Sequence, residues 1–272
     1  MSKAAAIASA ALMILAGLCA PALSEPAAKA AAAKGPSPAR LPDGKPNWTG
    51  FWIPPGGLMD VYRGPSGLEG VPIGANSGLL KDPTLPELKS PYKEQYEQSL
   101  KELAKGRPVP DKVALCYPPG MPGMMGMVYG MEILQTPNII AITSEWQAAS
   151  RRIWMDLKKH PPAEELDDSY TGHSIGHWEG DVLVVDTVGL RADVPFQHQV
   201  PYLHSNKTRI AERFRQTAPD TLVDEVTVID PEVFVKPWVK TFTYKYRPNL
   251  RLEEYVCLDN NRNVDAEGRQ KF

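Results

Sequence analysis

All five histidines of this 272-residue chain lie between positions 160 and 204, and the residue types that could do chemistry gather around them. The densest stretch is Gly172-His-Ser-Ile-Gly-His-Trp-Glu-Gly-Asp-Val-Leu-Val-Val-Asp-Thr-Val-Gly189. Read as a hairpin with Glu179-Gly180 as its two-residue loop, it sets His177 opposite Val182, Ile175 opposite Val184 and His173 opposite Asp186. Strand alternation puts His173, Ile175 and His177 on one face, and directly opposed side chains are about 5 Å apart at Cβ. A carboxylate facing an imidazole fixes its tautomer and raises its basicity, as a general base requires. His173 with Asp186 is therefore the expected catalytic pair, and His177 or His204 the second proton-transfer group. The competing expectation is a polar cross-strand pair with a structural role.

Metal chemistry has a weaker claim. His173, His177, His204 and Glu212 could form the three-histidine, one-carboxylate set of a cupin-like barrel. The compact His-x-His followed by Glu is missing, however, and the spacing here is His-x-x-x-His on a strand. No metal ligands are assigned, and a metal-dependent barrel enzyme stays only as an alternative. Gly-x-Ser-x-Gly, Walker, Cys-x-x-Cys and His-Glu-x-x-His motifs are absent, so no cofactor is expected. Arg152, Trp154 and Asp156 read as one strand face, Glu212 and Phe214 flank Arg213, and Glu253 and Tyr255 share a side. Charges pointing into a small barrel need partners, and Arg152 with Glu212 or Glu254 would serve. The same residues, with Trp178, could instead orient a ligand in an aromatic cavity.

These residues require a scaffold of short strands. Period-two segments recur at 132–134, 138–143, 151–156, 174–178, 182–189, 209–216, 221–229, 239–246 and 251–258. Turn signals such as Ala218-Pro219-Asp220, Asp230-Pro231 and Arg247-Pro248-Asn249 separate the later ones. Leu222, Asp224, Val226 and Val228 share a face, as do Phe242, Tyr244 and Tyr246. The pattern predicts an all-β fold, an antiparallel up-and-down barrel or sandwich built of local hairpins. One helix is expected over 91–105, with Ser90-Pro91 at its start and Gly106-Arg107-Pro108 at its end. The 27 prolines, about 10% of the chain against a usual ~5%, fall largely in long loops. In one of them, residues 117–127, four methionines predict a segment packed over the core.

Residues 1–24 have the layout of a secretory signal peptide, with Lys3, an apolar Ala-rich run from Ala4 to Ala20, and Ala22-Leu23-Ser24 before the cleavage point. The run is too short and Ala-rich for a span, and Leu18 before Cys19 argues against lipidation. Residues 25–46 read as a disordered Ala/Pro linker, and 47–272 as a single barrel domain beginning at the aromatic strand Asn47-Trp-Thr-Gly-Phe-Trp52. The mature chain is expected in the periplasm or secreted, without membrane insertion. Cys116 and Cys257 remain after signal removal, and in an oxidising compartment two thiols usually pair; the alternative is a reactive thiol, which no neighbouring His or Lys marks. Net charge of −2 and a pI near 6.2 give no basic surplus for nucleic acid.

The string Ser174 to Gly189, with Arg151-Arg-Ile-Trp-Met-Asp156 before it and His204-Ser205, Glu212-Arg-Phe214, Asp230-Pro231 and Pro237-Trp238 after it, resembles a family of exported bacterial proteins over roughly residues 47–260. That resemblance implies no reaction. The opening Asn47-Trp-Thr-Gly-Phe-Trp is similar to the Gly-x-Trp start of lipocalins, with Asn47 in place of the glycine, which implies a lipocalin-like barrel with an apolar cavity. The expected function is binding of a small hydrophobic or aromatic molecule, with cofactor-independent lyase, hydratase or isomerase chemistry at His173. A non-catalytic carrier for apolar ligands is the alternative.

Overall fold

Nine strands follow one another in chain order around a closed barrel: β1 (Gly50–Ile53), β2 (Met131–Gln135), β3 (Ile139–Ser144), β4 (Ser150–Trp154), β5 (His173–Glu179), β6 (Val182–Val188), β7 (Arg209–Ala218), β8 (Thr221–Ile229) and β9 (Trp238–Tyr246). Among the described residues one helix, α1 (Tyr92–Ala104), lies between β1 and β2. The computed structural model describes residues 40–54, 85–105, 112–113, 115–194 and 204–260, all within one compact unit spanning residues 35–272. The expected signal peptide, residues 25–39 of the expected linker and most of the Gly/Pro-rich loop after β1 lie outside the described residues. Among those described, no helix is long and apolar enough to cross a membrane.

The all-β expectation holds, with one change of topology. A closed ring of strands that alternate in direction needs an even number, so nine strands in sequence force one parallel neighbour pair. That seam is β4 with β5, joined through Ile153↔Ser174 and Trp154↔Ile175, while β9 closes antiparallel onto β1. The hairpin-only meander is therefore corrected: residues 155–172 form a crossover instead of a turn. Order also starts earlier than Asn47. Arg40 donates two hydrogen bonds to the Asp181 carboxylate (2.8 and 2.7 Å) and Pro46 is buried, so residues 40–46 are part of the fold.

The strand expected over 251–258 is absent. Its only ladder contact is the bridge Tyr255↔Trp146, and the segment ends in a 3-10 turn, Cys257–Asn260. The physical reason is closure: with β9 paired to β1, the barrel has no free edge to receive another strand. The segment is held instead by the Cys116–Cys257 disulfide, with a Cα separation of 5.5 Å that suits such a bond.

The core is the barrel interior. Leu222, Asp224, Val226 and Val228 all point inward and are fully buried, as their shared periodicity requires, and Tyr244 joins them from β9 opposite Leu222. The methionine loop closes over this core: Met121, Met124 and Met125 are buried, and the Tyr244 hydroxyl donates to the Met125 carbonyl (2.7 Å). Tyr92 and Tyr96 of α1 pack against the same cluster, one helical turn apart.

Candidate functional site

The β5–β6 turn decides which groups meet. Its two loop residues are Gly180 and Asp181, since Glu179 pairs with Val182. Gly180 has φ of +60°, the left-handed region that the first central position of such a tight turn demands and that glycine adopts without strain. A Glu179-Gly180 loop would have forced Glu179 into it. Moving the loop by one residue keeps every side chain on its face but slides the pairing, so Ile175 faces Asp186 and His173 faces Val188. The expected direct His173–Asp186 pair is corrected on that ground.

A residue that sequence reasoning missed fills the diagonal gap. The β4–β5 crossover carries His160 onto the outer wall, where its Nε2 lies 3.1 Å from Asp186 Oδ2 and its Nδ1 lies 2.9 Å from His173 Nδ1. Arg209 donates to both oxygens of Asp186 through Nε and Nη2, the latter bond 2.8 Å long. His173 and Asp186 thus belong to one hydrogen-bonded chain through His160. Burial, then the neighbouring His160, holds the His173 imidazole below its ordinary pKa. The parallel seam was the missing signal: only a crossover brings residue 160 back over β5 and β6.

This chain lies outside the barrel. On β5, Ser174 and Gly176 are buried inward while His173, Ile175 and His177 face out; on β6, Val185 and Thr187 are inward and Asp186 outward. His177 is exposed and lies 3.4 Å from Glu179, which accepts from Arg213. His204 is placed elsewhere, buried in the turn before β7 beside Ser205 and Thr208. Burial holds its pKa low against the opposing effects of the Ser205 carbonyl and Asp230. His173, His177 and His204 are therefore not assembled around one substrate position. Glu212 points to the barrel interior, across the wall from His173 and His177, so the cupin-like ligand set does not converge.

Inside, the charge expected at Arg152 is at Arg151. The strand alternates with Ile153 inward, which turns Arg151 in and leaves Arg152 and Trp154 on the outer side. Arg151 is fully buried and forms a two-pronged pair with Glu212, one bond at 2.7 Å, while Ser174 (3.1 Å) and Thr187 (2.9 Å) accept its remaining donors. Burial opposes its charge, but Glu212, with Asp224 and Tyr244, more than offsets this and raises its pKa. Glu212 thus points inward as expected, with a different partner.

Asp224 is the exception in this otherwise satisfied cluster. It is fully buried on β8, and no donor among the described residues reaches either carboxyl oxygen, while the Glu212 carboxylate lies within hydrogen-bonding reach of the protonated group. Burial, then the charge of Glu212, raises its pKa well above the ordinary value, against the attraction of Arg151. An unpaired buried polar group costs on the order of 1–3 kcal/mol. Around the interior stand aromatic rings: Trp48 packs on Trp178 (5.1 Å between centroids) and Phe214 (6.3 Å), and Trp52 on Tyr246 (5.2 Å). Of the expected ligand residues, Trp178 and Glu212 belong to this interior. Tyr255 instead stacks on Trp146 (5.1 Å) beside Tyr129, away from the strands. A separate cleft of about 390 Å³ opens at the hairpin turns between Arg40, Asp181 and Arg215–Pro219; none of the expected catalytic or ligand-binding residues lines it.

Asp224 gives stability a pH signature. Its folded pKa is raised, so its contribution is complete below the unfolded value near 3.8 and is lost as pH rises, when only the unfolded state ionises. Asp224→Asn, which cannot ionise, is expected to gain on the wild type by about 1 kcal/mol per pH unit above pH 4 until the native carboxyl titrates. Urea denaturation of both proteins at pH 4, 5 and 6 measures this; a constant difference would mean that Asp224 is ionised in the fold.

Compared with known protein families and with curated proteins, the chain matches none.

Proposed function

We propose that this is an exported barrel protein that binds a small hydrophobic or aromatic molecule in the barrel interior, with the molecule's polar group on Asp224. The observation that carries the reading is that no described donor reaches either Asp224 oxygen, fully buried beside Phe214 and Tyr244. A neutral carboxyl that donates to Glu212 still offers an accepting oxygen, which matches a hydroxyl on an apolar body. The Glu212 carboxylate beside it disfavours anions, and Arg151 is already committed to Glu212. Export to the periplasm or beyond is supported by the Cys116–Cys257 bond, since disulfides persist in oxidising compartments, and by the signal-like residues 1–24.

A molecule held at Asp224 is on the opposite side of the wall from His173. The reading is therefore a binding protein or carrier, and lyase, hydratase or isomerase chemistry on that molecule is not part of it. Fluorescence titration with N-phenyl-1-naphthylamine should show saturable binding, and 2-naphthol should displace the dye. Asp224→Leu should weaken displacement by 2-naphthol about tenfold, the loss of one ordinary hydrogen bond, while naphthalene competes as before. Equal weakening of both competitors, or no saturable binding, contradicts the proposal.

A further inference from the structure

The histidine chain on the outer wall supports an inference independent of the interior. We propose that His173 is a general base for small protic molecules that reach the outer wall, served by a proton relay through His160 to Asp186.

The hydrogen positions follow from the partners. A carboxylate only accepts, so the 3.1 Å contact with Asp186 requires the proton of His160 on Nε2. The Nδ1 of neutral His160 then holds a lone pair, and the 2.9 Å contact between the two Nδ1 atoms requires His173 to donate. The lone pair of His173 is left on Nε2, which has no hydrogen-bond partner among the described residues. The two ring centroids are 5.1 Å apart, close to the nitrogen separation plus one ring radius at each end. The nitrogens therefore meet head-on, as a shared proton prefers, and do not converge on a cation to one side.

Proton uptake balances along this chain. Nε2 of His173 takes the substrate proton, the Nδ1 proton of His173 moves to Nδ1 of His160, and the resulting His160 imidazolium faces the Asp186 carboxylate. The charged or titratable groups along this path are His160 from the crossover, Asp186 from β6 and Arg209 from β7; on its own strand, His177 is paired with Glu179. The depressed pKa of His173 leaves it unprotonated, as a base must be, at neutral pH. His160 and Asp186 are positioning residues, and His173 alone meets the substrate.

The probe is 5-nitrobenzisoxazole, which a general base opens by removing the C3 proton. The ring N–O bond breaks, the nitrile forms and the electron pair ends on the phenolate oxygen, giving coloured 2-cyano-4-nitrophenolate with no other reactant. Activity should rise with pH through the titration of His173 and then level off. His173→Ala should lower the plateau about 100-fold or more, the usual contribution of a general base. His177→Ala, which removes an exposed imidazole on the same face, should leave it unchanged. Asp186→Asn should lower the plateau and move the midpoint to lower pH, because nothing then stabilises the imidazolium; His160→Gln should break the relay likewise. Wild-type activity in His173→Ala, equal loss in His177→Ala, or an unmoved profile in Asp186→Asn overturns the proposal. Nitrogen-15 NMR of the wild type tests it without substitution: His173 should be protonated on Nδ1 and bare on Nε2, and the opposite tautomer contradicts the relay. Failure here leaves binding at Asp224 untouched.

Discussion

Replacing Arg151 with Met should destabilise the fold by about 3–5 kcal/mol, because it leaves the Glu212 carboxylate buried without its partner. Arg151 and Glu212 are both fully buried, and taking two charges from water is repaid only when geometry and supporting hydrogen bonds are good. Here Ser174 and Thr187 accept the donors that Glu212 does not use. Removing the guanidinium strands an acid beside a second acid, Asp224, and the hydroxyls lose their donor. The double replacement Arg151→Met with Glu212→Leu should recover most of the loss, since a buried ion pair exchanged for apolar side chains of similar volume is often neutral or better. Urea denaturation of both variants at pH 7 measures this. A single-variant loss below about 1 kcal/mol, typical of an exposed pair, would contradict the interior placement.

The second large effect is expected from the disulfide. Cys116 and Cys257 are 141 residues apart, so their bond constrains most of the unfolded chain of the barrel. In the chain-entropy model a loop of this length contributes about 5 kcal/mol. The variant with Ser at both positions should lose up to that amount, and reduction of the wild type with dithiothreitol should lose as much. The bond also fixes the tail after β9 to the loop before β2, which no strand pairing holds. Denaturation of oxidised and reduced protein side by side checks the prediction; coincident curves would mean that the bond adds no constraint.

The two predictions rest on features that are unequally legible in the sequence. Strand positions between residues 131 and 246 can be read closely because one buried face imposes strict alternation, as in Leu222, Asp224, Val226 and Val228. The cysteine pairing follows from arithmetic on the mature chain. The phase of β4 is ambiguous because two candidates for the inward anchor, Ile153 and Trp154, are adjacent, and a single step exchanges Arg151 with Arg152. The hairpin register turns on one glycine: Gly180 must take the positive-φ place in the loop, a preference that belongs to the residue type and is legible from its position alone. His160 is out of reach, because its role depends on the parallel seam, a consequence of closing nine strands that no local pattern announces. The separation of Asp186 from Glu212 by the barrel wall is implicit in alternation, yet it becomes consequential only once β5 to β7 have a register.

Binding inside the barrel is tested most directly by a crystal structure of the protein grown with 2-naphthol. The naphthalene rings are expected among the interior aromatic side chains, with the hydroxyl oxygen within about 2.5–3.0 Å of an Asp224 carboxyl oxygen. Naphthol held only on the outer surface, or an interior in which Asp224 is satisfied by a side chain or water with no room for the rings, would contradict it.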